Sequence, residues 1–167
     1  MIRITVTDWM GNDYKVKVHE VPFKGQDISI LNEDGNLLIR GEVMYVERTI
    51  GYNKDHIEVH ISHLDGIDSS LVEHDGIVDF WNVRSNEHAM ERITWTDETG
   101  KEYKTKGMCI PNFNDDVQLG IVEDKVVRGE VNYIIRTISP GKDEIEVHLK
   151  DENYLNDGSS YESINWW

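Results

Sequence analysis

Cysteine is nearly missing from this 167-residue chain, and the single Cys109 excludes an internal disulfide and a cysteine-rich zinc site, which suits a reducing compartment. Long apolar runs are missing too. The opening residues, Met-Ile-Arg-Ile-Thr-Val-Thr-Asp, alternate apolar with polar, so neither a signal peptide nor a transmembrane helix is expected, and the expected location is the cytoplasm. Positive charge is scarce: 17 Lys and Arg face 32 Asp and Glu, a formal charge of −15. Nucleic-acid affinity comes largely from cationic contacts to phosphate, so this balance argues against direct binding of nucleic acid, and equally against an anionic membrane. The deficit is shared along the chain, with seven cations against fifteen anions up to Trp81 and ten against seventeen from Asn82 onward.

Catalytic signatures are lacking as well. No P-loop, dinucleotide fingerprint, nucleophile elbow or zinc-protease helix motif occurs, and no two glycines stand in a Gly-X-Gly spacing. Neither an enzyme nor a cofactor is expected. The one alternating set of metal-type ligands, His56, Glu58 and His60, becomes Glu144, Glu146 and His148 in a second copy of the same stretch, a poorer set, so no metal site is expected.

That second copy is the dominant feature of the sequence. "RGEVMYVERTIGYNKDHIEVH" at Arg40–His60 and "RGEVNYIIRTISPGKDEIEVH" at Arg128–His148 agree at fourteen of twenty-one positions with a constant offset of 88. "RITVTDWMGNDYKVK" from Arg3 matches "RITWTDETGKEYKTK" from Arg92 at offset 89, and Pro22 and Asp27 fall on Pro111 and Asp116. The implied organisation is unit one at 1–81, a linker at 82–90, and unit two at 91–167 ending in an aromatic segment. Each unit alone is near the lower size limit for a self-sufficient core.

Apolar residues recur with period 2 in both units, the mark of half-buried strands. Strands are expected at 2–7, 14–20, 27–31, 37–49 and 56–62 and about 88 residues further on, with a single helical candidate near "SSLVEH". With the hairpin turn at Asn53, Arg48 should face Glu58 and Val46 should face His60, while Val43, Tyr45, Val131 and Tyr133 enter the core. Gly41 and Gly129 should permit a bend in a long strand.

A Pro followed by "DISI" or "DVQL", a turn, "RGEV" and a hairpin ending "IEVH" resembles the SH3-like small barrels, and many short phage-encoded proteins look like this. The resemblance covers most of each unit. It implies a mainly β protein of two tandem duplicated small β-barrels, in a family whose members bind peptides, proteins or nucleic acids and share no catalytic residues.

Trp9, at a hairpin tip where unit two has Glu98, and the end segments carrying Trp81, Trp166 and Trp167 are expected either to pack the small cores or to anchor a partner. Strand-borne Glu42, Glu47, Glu58, Glu130 and Glu146 form candidate acidic rows. With Trp9, Trp166 and Trp167 they make up the expected partner-binding set. The function expected is a non-enzymatic binding protein that engages and inhibits or redirects a host protein in the host cytoplasm, in its specific form by nucleic-acid mimicry toward a basic nucleic-acid-binding protein. The alternatives are a small-molecule-sequestering module using the cleft between the repeats, and a structural virion component.

Overall fold

The computed structural model describes residues 1–64, 77–84, 92–106, 110–121, 125–155 and 164–165, together with the backbone alone at some strand ends. These residues form a mainly β protein. The expected helix near "SSLVEH", and Trp166 and Trp167, lie outside the described residues.

The chain divides into two compact units, Met1–Met90 with Ile135–Glu144, and Glu91–Ile134 with Ile145–Trp167. The first unit contains β1 (Ile2–Thr7), β2 (Asp13–Val18), β3 (Asp27–Leu31), β4 (Leu37–Gly51), β5 (Lys54–His63) and β6 (Ile77–Asp79). The second contains β7 (Arg92–Thr96), β8 (Glu102–Lys106), β9 (Asp116–Ile121), β12 (Ile164–Asn165) and most of β10 (Lys125–Ser139) and β11 (Lys142–Leu155). A contiguous division at the linker therefore misses one segment. The tip of the β10–β11 hairpin, residues 135–144, belongs to the first unit because Ile135–Ile138 pair in parallel with Asp27–Ile30 of β3.

Unit one runs from that tip through β3, β4, β5, β1 and β2 to β6. β1 and β2 form an antiparallel hairpin from Ile2↔Val18 to Thr7↔Asp13, and β1 lies parallel to β5 through Thr5↔Glu58 and Val6↔Val59. Period-2 alternation turns Ile4, Val6, Tyr14, Val16 and Val18 inward, where they meet Ile28, Ile30, Ile39, Val43, Ile57, Val59, Ile61 and, from the second hairpin, Ile138. Burial of this apolar area is the main driving force for the unit.

Unit two repeats the plan. β7 pairs with β8 antiparallel and with β11 in parallel, and β9 pairs antiparallel with β10 from Lys125↔Ile121 to Glu130↔Asp116. Its inward residues include Ile93, Trp95, Tyr103, Leu119, Val131, Val147 and Leu149. The end segments correspond in pairing as well: β6 joins β2 at Tyr14↔Val78, and β12 joins β8 at Ile164↔Tyr103.

A duplicated polar device closes the first hairpin of each unit. The buried Asp8 accepts the Met10 and Asn12 amides, both at 2.9 Å, and the Tyr14 hydroxyl at 3.1 Å; Asp97 accepts the Thr99 and Lys101 amides at 2.9 Å and the Tyr103 hydroxyl at 3.1 Å. A short carboxylate thus satisfies the turn backbone from inside, with Gly11 and Gly100 supplying the positive φ the turn requires. Burial first, then the charge of Asp8, pushes the Tyr14 hydroxyl far above its ordinary range.

The long hairpin departs from simple alternation. Its turn is made by two residues, Tyr52 and Asn53, closing on Gly51↔Lys54 rather than centring on Asn53 alone, with Asn53 at φ 57; further along, the register shifts between Val43 and Tyr45. A bulge adds one residue to a strand and sends every later side chain to the other face. The two-residue turn, not the bulge, sets Arg48 opposite Ile57 instead of Glu58, Val46 opposite Val59 instead of His60, and Tyr45 opposite His60, while the bulge beyond Tyr45 turns that residue away from the face of Val43. Val43 stays in the core, whereas Tyr45 is 47% exposed; Tyr133 likewise turns out at 41% while Val131 is buried. Both tyrosines were expected inside. At Gly41 a Cβ would collide with the Ser62 carbonyl and the Ile61 side chain, so the residue allows close approach of β4 to β5.

Candidate functional site

The bulge at Met44 decides what the outer face of β4–β5 presents. Without it Glu42 and Glu47, five positions apart, would point to opposite sides of the strand. With it, the residues opposite one another are Glu42 and Ser62, Tyr45 and His60, Glu47 and Glu58, Thr49 and His56. Three of the expected acidic residues, Glu42, Glu47 and Glu58, therefore share one face with an exposed tyrosine and two histidines.

At its centre the Tyr45 ring stacks on His60, with centroids 4.3 Å apart and planes 15° from parallel. Glu58 lies 3.0 Å and Glu47 3.6 Å from His60 Nε2, and the Thr7 hydroxyl donates to Glu58 at 3.1 Å. Unit two reproduces the set: Tyr133 stacks on His148 at 4.1 Å and 13°, Glu146 lies 2.5 Å from His148 Nε2, and the Thr96 hydroxyl reaches Glu146 at 3.3 Å. A Tyr–His–Glu–Thr cluster is thus built twice from matching strands. In the sequence Tyr45 and Tyr133 were read as core residues and not as part of a site, although their identity at offset 88 marks them once the bulge is known.

The two faces differ at their edges. Glu47 is replaced by Ile135, and Glu130 is 3.4 Å from Lys150. In unit one Glu47, Glu58 and His60 bring ligand atoms within 4.8 Å of one another, an N/O set of the kind a divalent ion accepts, but the duplicate lacks the third ligand. His56, expected to complete an alternating trio, lies 3.7 Å from Glu58 and outside that cluster. Next to the face, burial and then Glu42 push the Asp27 carboxyl up, although Arg40 stands 3.9 Å away and opposes them.

Compared with known proteins, the chain matches no protein-family model, no curated protein and no solved structure. Its own duplication is the internal comparison. Trp9, expected as an anchor or packing residue, lies half-buried against the unit-one core and meets His63 edge-on at 4.6 Å. Trp81 folds back on its own unit, where its indole N–H donates to the Ile4 carbonyl at 3.0 Å and Lys15 Nζ sits 4.8 Å from the ring. Among the described residues no helix is long and apolar enough to cross a membrane.

A second site was invisible in the sequence. The Arg136 guanidinium is 0% exposed: it grips Asp143 through Nε at 3.0 Å and through Nη2, and donates to Gln26 Oε1 at 3.3 Å and to the Glu20 carbonyl at 3.0 Å. Asp143 in turn accepts the His19 amide at 3.0 Å. Burial holds the His19 imidazole below its ordinary value, with Arg136 adding to that and Asp143 opposing it. The equivalent pair in the first hairpin, Arg48 and Asp55, has the same fork geometry in solvent, with side chains 57% and 47% exposed.

Proposed function

We propose that the protein is a non-enzymatic acidic binding module whose Glu42–Tyr45–Glu47–Glu58–His60 face engages a basic partner protein. The observation that supports this reading is the bulge, which gathers carboxylates from two strands and an exposed aromatic onto one face of a chain carrying −15. Surfaces that combine complementary charge with an exposed tyrosine suit protein recognition, the charge hastening encounter and the ring supplying contact area. On the resemblance to SH3-like phage proteins, the units are small barrels and the partner is a host protein. In the mimicry form of this reading, the partner is one whose basic groove ordinarily holds nucleic acid.

The test is capture of the partner from lysate by the full chain, followed by binding to the purified partner as salt rises. Affinity should fall steeply with ionic strength, nucleic acid should compete, and Glu42→Gln, Glu47→Gln and Glu58→Gln together should abolish capture without lowering the melting temperature. Salt-insensitive capture, or capture that survives the triple replacement, would overturn the assignment of this face.

A further inference from the structure

The two long hairpins end in arms of like sequence, Arg48-Thr49-Ile50 with Lys54-Asp55 and Arg136-Thr137-Ile138 with Lys142-Asp143, in opposite surroundings. In the second arm Ile138 is 0% exposed within the unit-one core, and the strand beside it covers β3 in the register Ile135↔Asp27 to Ile138↔Ile30. In the first arm Ile50 is 74% and Tyr52 98% exposed. β3 is paired on both edges, with β4 and with this arm. Its counterpart β9 pairs, among the described residues, with β10 alone. The first arm and β9 are thus the two halves of a joint that the second arm and β3 already make. An exposed apolar hairpin and a strand edge with no partner among the described residues are each templates for strand addition.

The loops leading into the two receptor strands are also built alike. Gly25 and Gln26 exchange backbone hydrogen bonds with Val43, both at 2.9 Å, and Asn114 and Asp115 do the same with Val131, both at 2.9 Å. The Gln26 amide donates to the Phe23 carbonyl at 3.2 Å, and the Asp115 amide to the Asn112 carbonyl at 3.3 Å. Gly25 and Asn114 share positive φ, 93 and 63. Asp115 therefore stands where Gln26 stands, the residue whose side chain receives Arg136.

We infer that the first arm of one copy seats on β9 of a second copy, in the parallel register that the second arm uses on β3. Arg48 then lies beside Val117, Thr49 beside Gln118 and Ile50 beside Leu119, and Asp115 offers a carboxylate to the edge of the Arg48 guanidinium that in Arg136 meets Gln26. The joint is heterologous, so it propagates into a filament or closes into a ring. Like charge opposes it: Glu47 takes the place of Ile135 and comes beside Asp116, and each copy carries −15. Salt screens that repulsion, so self-association strengthens as ionic strength rises, the opposite of the dependence expected for a basic partner.

The test is sedimentation of the full chain at increasing protein concentration in low and high salt. The expected result is mass that grows with concentration and more so in high salt, and an Ile50→Lys variant that stays monomeric with an unchanged melting temperature. For the register, copies carrying Thr49→Cys are mixed with copies carrying Gln118→Cys under oxidising conditions, and linked peptides are identified by mass spectrometry. Disulfides should join these two positions across copies, and should not form when Asp34→Cys replaces Gln118→Cys. Three results would each overturn the inference: a monomer at every concentration and salt, assembly undiminished by Ile50→Lys, or a Thr49→Cys, Gln118→Cys double variant that closes within a single chain.

Discussion

Replacing Asp143 with alanine leaves a guanidinium with no route to water. Arg136 is 0% and Asp143 1% exposed, and Asp143 supplies two of the four contacts that satisfy the guanidinium as well as the acceptor for the His19 amide. Removing one partner of a buried, hydrogen-bonded pair costs about 3–5 kcal/mol, because the remaining charge stays desolvated and uncompensated. In a chain of this size that lowers the melting midpoint by on the order of 10 °C. The control is built into the molecule. Arg48 and Asp55 form the same fork in solvent, where hydration already satisfies both charges, so Asp55→Ala should leave the midpoint unchanged. Replacing both buried partners, Arg136→Met with Asp143→Leu, should recover most of the loss, since an apolar pair of similar volume fills the seat without a desolvation penalty. Thermal and urea unfolding followed by tryptophan fluorescence would measure all three. If Asp143→Ala costs no more than Asp55→Ala, the second arm is not seated in unit one and the reasoning fails.

The remaining expectations concern the same unit. Ile138→Ala should destabilise by about 2–5 kcal/mol as a fully buried side chain leaves a cavity, measured by urea unfolding; a loss within the error of the midpoint would contradict the placement of Ile138 in the core. Gly41→Ala should cost about 1–3 kcal/mol, because the added methyl meets the backbone of the neighbouring strand, and a neutral outcome would show that β4 and β5 can part there. His19 is held below its ordinary pKa, so the unfolded chain binds the proton more readily than the folded one. Stability should therefore decline as pH falls through about 6.5 toward the lowered folded value and hold steady above it, and His19→Asn should flatten that part of the profile. A profile unchanged by His19→Asn would remove His19 as the cause.

How far the sequence reached can be followed in single residues. The strands at Ile2–Thr7 and Asp27–Leu31 coincide with those expected from alternation, and the long strand Leu37–Gly51 extends the expected 37–49 by two residues. Period-2 burial is a local property, written in each segment by which residues are apolar, and the duplication repeats it. Glu42, Glu47 and Glu58 were recognisable as strand-borne acids for the same reason. That they share a face was not, because it depends on one extra residue at Met44, and a bulge has no signature in the alternation it interrupts.

Arg48 and Arg136 show the boundary most plainly. Their sequence neighbours are the same, Thr and Ile after them and a Lys-Asp pair across the turn, and both fold into the same fork with aspartate. One is solvated and the other is fully buried on Gln26 and Glu20. Sequence by itself determined that each long hairpin would form, because hairpin formation draws on residues within a few positions of the turn. Only the tertiary structure decided which arm is covered, because burial depends on which strand edge lies alongside, and that strand is more than a hundred residues away in the chain.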